Sequence, residues 1–128
     1  MADVEAALAD VVSCDGFPFT LVALRDERFV GTVTSIHSDI DARPKLGPCV
    51  AALWVEPEVR RSGIGGAMVK VVLHRLKLHG FSEVYLSAKP GLRTFYEPRG
   101  WSIIEHDIDD DHQDVYVRSL SPAARGQN

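Results

Sequence analysis

Cysteine is scarce in this chain: Cys14 and Cys49 are the only two among 128 residues, and no CxxC or metal-ligand spacing involves them. That excludes a disulfide-stapled scaffold and a cysteine-bound zinc, and the two read as reduced thiols of a cytosolic protein. Long apolar runs are missing too, none approaching the roughly 20 residues of a membrane-spanning helix. A secretory signal needs a basic start and a continuous apolar stretch, whereas the first dozen residues carry Asp3, Glu5 and Asp10. Basic charge is in short supply: 14 Lys and Arg face 18 Asp and Glu, for a net charge of −4. A nucleic-acid binder usually presents a basic face, so that partner is disfavoured. The same balance suits a cationic or amine-bearing substrate, although charge of this size selects no partner by itself. Repeats and low-complexity segments are absent. What remains is an ordinary globular composition, 45% hydrophobic and 25% charged, expected to form one domain over residues 1–128 with a core that needs no staples. Residues 121–128 are small and polar, as expected of a flexible tail.

The pattern along the chain predicts a mixed α/β fold. Val4, Ala7, Leu8, Val11 and Val12 recur at helical spacing over residues 3–13, and Asp15-Gly16 and Pro18 end that helix. Thr20–Arg25 and Phe29–Ser38 are rich in Val, Thr and Ile and flank Asp26-Glu27, which predicts a hairpin. The two prolines and one glycine of residues 39–48 make a loop. Cys49–Val55 is almost wholly apolar, as expected of a central strand buried on both faces. A long helix then carries Ile64, Met68, Val71, Val72 and Leu76 on one stripe and Lys70, His74 and Lys77 on the other, with Gly80 as its cap. Strand 83–88, a short helix over 92–97, and a second hairpin from 101–105 and 115–120 complete the order.

The chemistry concentrates at residues 53–69, LWVEPEVRRSGIGGAMV, where a strand enters a glycine-rich turn that opens a helix. Gly63, Gly65 and Gly66 remove side chains where a ligand must come close. The first-turn amides of a helix have no partner within it and point outward with the positive end of the dipole. Together they make a pyrophosphate site, with Arg60 and Arg61 adding charge beside it. A dinucleotide fingerprint is excluded because G-x-G-G replaces G-x-G-x-x-G, and a P-loop because no Gly-Lys-Ser/Thr occurs.

Arg60, Gly63 and Gly65 instead match the Arg/Gln-x-x-Gly-x-Gly/Ala signature of the GNAT (GCN5-related) N-acetyltransferases, and VEPEVRRSGIG resembles that family's usual wording. TFYEPRGW at residues 94–101 independently resembles the family's late motif, Phe/Leu-Tyr-Glu-x-x-Gly-Phe/Trp. The resemblance runs from about Val4 to Leu120. It implies an α/β (α+β) acyl-CoA N-acyltransferase fold, a mixed central sheet flanked by helices, here without the N-terminal strand that usually precedes the first hairpin. It implies acetyl-CoA as co-substrate, no metal, and a small-molecule or peptide amine as acceptor. Many members carry an Asn where this chain has Lys89, so that contact is replaced or lost; Lys89 could instead reach a phosphate or the pantetheine.

The resemblance also implies roles. Strands 49–55 and 83–88 splay, and pantetheine enters the gap to pair with the backbone of Leu53 and Val55, as β-augmentation does. The Val55 amide then faces the thioester oxygen. Arg60, Arg61, Ser62, Gly63, Ile64, Gly65 and Gly66 hold the phosphates. Trp54 belongs to the same donor-binding stretch, but it points to the other side, where a core position is expected ahead of a place on the substrate wall. Tyr96 is placed as general acid for the departing thiolate, because a phenol near pKa 10 holds its proton at neutral pH. Glu56, at the end of the central strand, is a candidate base for the amine; His37 and water-relayed deprotonation are alternatives. In HDIDDDHQD, residues 106–114, Asp107, Asp109 and Asp111 mimic an EF-hand start. His112 and Arg118 stand where such a loop needs Gly and Glu, so a solvated turn is expected.

Two other functions fit the same residues: an acyl-CoA sensor of this fold without turnover, which Tyr96 argues against, and a nucleotide-binding module on the same glycine turn. With only residues 3–13 before the first hairpin, Thr20–Arg25 is expected to be a sheet edge. A homodimer covering it, an open acceptor cleft and a longer natural chain are the alternatives.

Overall fold

The computed structural model describes residues 16–120. The helix expected over 3–13, Cys14 and the tail 121–128 lie outside the described residues. Six strands form one mixed sheet: β1 (Phe19–Arg25), β2 (Arg28–Ile36), β3 (Cys49–Val55), β4 (Glu83–Ala88), β5 (Ser102–Glu105) and β6 (Asp114–Ser119). Their spatial order is β1-β2-β3-β4-β6-β5, with β3 and β4 parallel and the other neighbours antiparallel. Helix α1 (Ile64–Leu78) crosses one face, and the short α2 (Arg93–Tyr96) lies between single 3-10 turns at Pro90–Leu92 and Glu97–Arg99.

Local chemistry explains most of these boundaries. Asp26 and Glu27 both take positive φ, 52° and 68°, which is the backbone of a two-residue primed turn matched to the twist of β1 and β2. Helix α1 ends as Gly80 adopts φ 92°; its amide bonds the Lys77 carbonyl and the Phe81 amide bonds that of Leu76. That pair of bonds is the Schellman arrangement a left-handed glycine permits. The buried stripe of α1 is Ile64, Met68, Val69, Val72 and Leu76, so Val69 takes the core position expected of Val71. Burying each such side chain stabilises the fold by about 2 kcal/mol. Gly31 lets α1 approach the sheet, since a Cβ there would stand 2.8 Å from both the Met68 Cε and the Trp54 carbonyl.

The decisive irregularity is in β3. Thr32 faces Trp54 but Thr34 faces Ala51, so Val33 opposes two residues, Ala52 and Leu53. Ala52 takes φ 52°, and the strand bulges there. Beyond the bulge β3 turns away from β4, and only Cys49 and Tyr85 are paired between these strands. The strand expected to be buried on both faces is therefore so only at Cys49 and Val50; Trp54 is 46% exposed and no core residue. A second, small apolar cluster of Ile40, Cys49 and Val115 lies apart from the main core. Cys49 is a free, buried thiol.

Candidate active site

The gap between β3 and β4 opens into a cavity of about 840 Å³, within the usual range for a small-molecule site. One wall is the end of β3 from Leu53 to Val55; another is the Arg60–Gly66 turn; the third is α2 and its flanks, with Leu92, Phe95, Tyr96 and Arg99. Along β3 the peptide groups alternate in direction. The Glu56 amide is spent on the Val30 carbonyl of β2, so the Val55 peptide groups face the other way, into the gap. The Val55 carbonyl accepts a bond from Arg60 Nε at 2.7 Å.

The turn into α1 is built to present N–H groups. Arg61 and Gly63 are both left-handed, at φ 66° and 89°, and such alternation makes a concave row of amides. No side chain caps α1 at Gly63, and the first helical bond runs from the Ala67 amide to the Gly63 carbonyl. The amides of Ile64, Gly65 and Gly66 thus precede the helix ladder, and all three residues line the cavity. Three arginines, Arg60, Arg61 and Arg99, line it too, and no acidic residue does.

Tyr96 is 6% exposed, and its ring packs on Tyr116 at 5.3 Å, Trp101 at 5.9 Å and Phe95 at 4.9 Å. Burial, with Tyr116 second, pushes its phenol up to about 12, so the hydroxyl keeps its proton through the neutral range. The Tyr116 hydroxyl and Trp101 Nε1 beside it are buried without a hydrogen-bond partner among the described residues. Glu56 does not itself line the cavity; its Oε2 accepts from Nε1 of Trp54, which does, at 3.0 Å, and the Arg60 guanidinium covers the Trp54 ring at 4.6 Å.

Every donor-site residue expected from the sequence except Lys89 lines this cavity; Lys89 is exposed and outside its wall. His37 is not brought to it. Ile36 pairs with Cys49, at the end of β3 opposite Val55, and the His37 ring packs on Phe17. The acidic segment is only partly a solvated turn. Asp109 accepts the amides of Asp111 and Gln113 within the loop, but Asp114 is fully buried. Its carboxylate takes two bonds from Arg93, at 2.8 and 3.0 Å, and one from His106 at 2.9 Å. Arg93 first, and His106 after it, hold this carboxyl below its usual range. No group of three His, Cys, Asp or Glu among the described residues could hold a metal. No described helix is long and apolar enough to cross a membrane. Sequence reasoning missed Arg99, whose only signal was its place in the late motif.

A mixed sheet parted at its one parallel pair, with a bare helix N-terminus at one side of the gap and a buried tyrosine at the other, defines the acyl-CoA N-acyltransferase class of fold. Residues 18–103 match the family model described as "Acetyltransferase (GNAT) domain", and the chain belongs to that family. An uncharacterized ycf52-like N-acetyltransferase of Prochlorococcus marinus is 34% identical over 56 residues, 41% of this chain; the aligned stretch is 31% of that relative's length. A GNAT-family acetyltransferase structure from Staphylococcus aureus superimposes with a TM-score of 0.64 at 20% identity, over 80% of this chain and 68% of that one. An aminoglycoside 6′-N-acetyltransferase solved with coenzyme A gives 0.65 at 17% identity, over 81% and 73%. At these identities the structural likeness speaks for the fold alone.

Proposed function

We propose that the chain is an acetyl-CoA-dependent N-acetyltransferase that passes acetyl directly to a primary amine in a ternary complex. The observation that carries this is the gap between β3 and β4, which joins an acid-free cluster of arginines and unpaired amides to a protonated tyrosine. A donor with phosphates at one end, amides in the middle and a thioester at the other matches those three features in order.

Acetyl-CoA supplies the activated acetyl group; the rest is the work of this chain. The amides of residues 61–66 and the nearby guanidiniums hold the phosphates. The Val55 N–H, directed into the gap, donates to the carbonyl oxygen as negative charge grows on it. An alkyl amine is mostly protonated at neutral pH. We assign removal of that proton to Glu56, whose second carboxylate oxygen is not engaged by Trp54. The C–N bond forms as the C–S bond breaks, and the Tyr96 hydroxyl donates to the departing sulfur. A thiol titrates near 8.5, so full transfer from a phenol at about 12 is uphill by roughly 5 kcal/mol. Tyr96 therefore acts chiefly by hydrogen bonding as the thiolate forms, and its proton moves over as the amine's proton replaces it.

The test couples thiol release to a chromogenic disulfide across a panel of amines, beside thermal shift with acetyl-CoA, ATP and NAD. Stabilisation by acetyl-CoA alone, with thiol release that needs an amine, is expected. Binding without release for any amine would leave a sensor, and preference for ATP or NAD would overturn the donor assignment.

A further inference from the structure

Arg99 stands apart from the other cavity arginines. Arg60 is committed to the Val55 carbonyl and to the face of Trp54. Arg99 reaches the same region from the opposite wall, at the end of the turn after α2. Its backbone is braced, since Gly100 turns left-handed at φ 94° and Arg118 Nε donates to the Arg99 carbonyl at 3.1 Å. Its side chain is braced as well: the guanidinium lies 4.0 Å over the Phe95 ring, and Nη1 donates to the Phe95 carbonyl at 2.7 Å. That is the one hydrogen bond its side chain makes among the described residues, and four of its five N–H groups remain.

The guanidinium rests on the first turn of α1. A Cβ built on Gly66 would lie 3.0 Å from Arg99 Nε and 3.6 Å from Nη2. Gly66 has an ordinary helical φ, so the space, not the conformation, is what its missing side chain provides. A cation held against the positive end of a helix, with two more arginines in the same cavity and no acid among its lining residues, is electrostatically unfavourable until an anion arrives.

We infer that Arg99 is the far jaw of a phosphate clamp, closing on the donor's phosphates from α2 while the amides of residues 61–66 hold them from α1. The inference rests on the donor assigned under Proposed function and names a selecting residue within it: Arg99 makes the site prefer phosphorylated donors over bare pantetheine thioesters. A planar fork with several free donors suits a phosphate better than a point charge does.

The experiment measures acetyl-CoA affinity by calorimetry, and kcat/KM with acetyl-CoA and with acetyl-S-pantetheine, for wild type, Arg99→Gln, Arg99→Lys and Gly66→Ala. Arg99→Gln should weaken acetyl-CoA binding by about 30-fold and reduce kcat/KM at least tenfold more on acetyl-CoA than on acetyl-S-pantetheine. Lysine should recover part of the loss. Gly66→Ala should imitate Arg99→Gln by pushing the guanidinium aside, while its unliganded melting temperature rises because alanine suits a helix better. Repeating the comparison with 3′-dephospho-acetyl-CoA identifies the phosphate: a loss that persists assigns the pyrophosphate, and one that vanishes assigns the 3′-phosphate. Equal losses on the two thioesters, or unchanged acetyl-CoA affinity in Arg99→Gln, would overturn the clamp alone. A wild-type protein that binds no acetyl-CoA would instead overturn the proposed function.

Discussion

Replacing Gly65 by valine separates folding from donor binding. A Cβ at this position would lie 3.5 Å from Val55 Cγ2 and 3.7 Å from Phe95 Cζ, both ordinary contacts. One methyl therefore bridges the cavity from α1 to β3 and α2 without a clash, and the two further methyls of valine must fill the slot between them. Stability should hold or rise. Valine is a few tenths of a kcal/mol better than glycine inside a helix, and each methyl placed against Val55 and Phe95 contributes up to about 0.8 kcal/mol. Binding should collapse, because the same methyls take the space in front of the Gly65 and Gly66 amides. A loss of at least 100-fold, about 2.7 kcal/mol, is expected. The assay is calorimetric titration with acetyl-CoA beside thermal unfolding of the free proteins. Gly91→Val is the control, since nothing lies within 4 Å of a Cβ there and Gly91 does not line the cavity. If Gly65→Val melts like wild type and binds acetyl-CoA within threefold of it, the donor does not lie in this cavity.

Tyr96→Phe should cut turnover by roughly 10²- to 10⁴-fold at saturating substrates with little change in acetyl-CoA affinity; unchanged turnover would remove Tyr96 from the chemistry. With its pKa raised by burial to about 12, Tyr96 favours the folded state fully below pH 10, where an exposed tyrosine titrates, and that contribution is lost as pH rises to 12. Wild type should therefore lose stability relative to Tyr96→Phe over that window, by up to about 3 kcal/mol in denaturant titrations at pH 9 and 12. Asp114→Asn breaks charge-assisted bonds to Arg93 and His106 and should cost about 2 kcal/mol at pH 7. Because the native carboxyl is held below its usual pKa, that difference should shrink as pH falls below about 4, which urea unfolding at pH 7 and pH 3 would show. Among the described residues β1 pairs only with β2. A homodimer joined edge to edge is expected, and a monodisperse monomer in light scattering at high concentration would rule it out.

Element boundaries were legible because punctuation is local. Asp26-Glu27, Pro57, Gly80 and Pro90-Gly91 each mark a break, and strands 19–25 and 83–88 fall within a residue of their expected limits. The bulge in β3 was not legible. It sits in Ala51-Ala52-Leu53 of an apolar run, with no glycine or proline to announce it, and what holds Ala52 at φ 52° is the pairing on either side of it, Ala51 with Thr34 and Trp54 with Thr32 across the sheet. That one extra residue re-aims every later side chain of the strand, which is why Trp54 lies at the cavity and not in the core. Asp114 failed for a related reason. Its neighbours in sequence are acidic and exposed, and its partner Arg93 lies on another element.

The glycine turn shows how the two kinds of information combine. Spacing alone reads Gly63, Gly65 and Gly66 as one feature, room for a ligand. The structure divides them by cause. Gly63 serves the backbone, at φ 89°. Gly65 leaves open the slot between Val55 and Phe95, and Gly66 makes room for the Arg99 guanidinium. Arg99 belongs to the late motif, TFYEPRGW, which also carries Tyr96. The two segments that resemble the family independently in sequence are thus in contact across the cavity, one presenting amides and the other a cation and a phenol. An acidic chain of net charge −4 can attract a polyanion in this way because the field that matters is local. Three guanidiniums line the cavity beside the helix end and no carboxylate does, and salt screens exposed charges that lie farther off than roughly 10 Å.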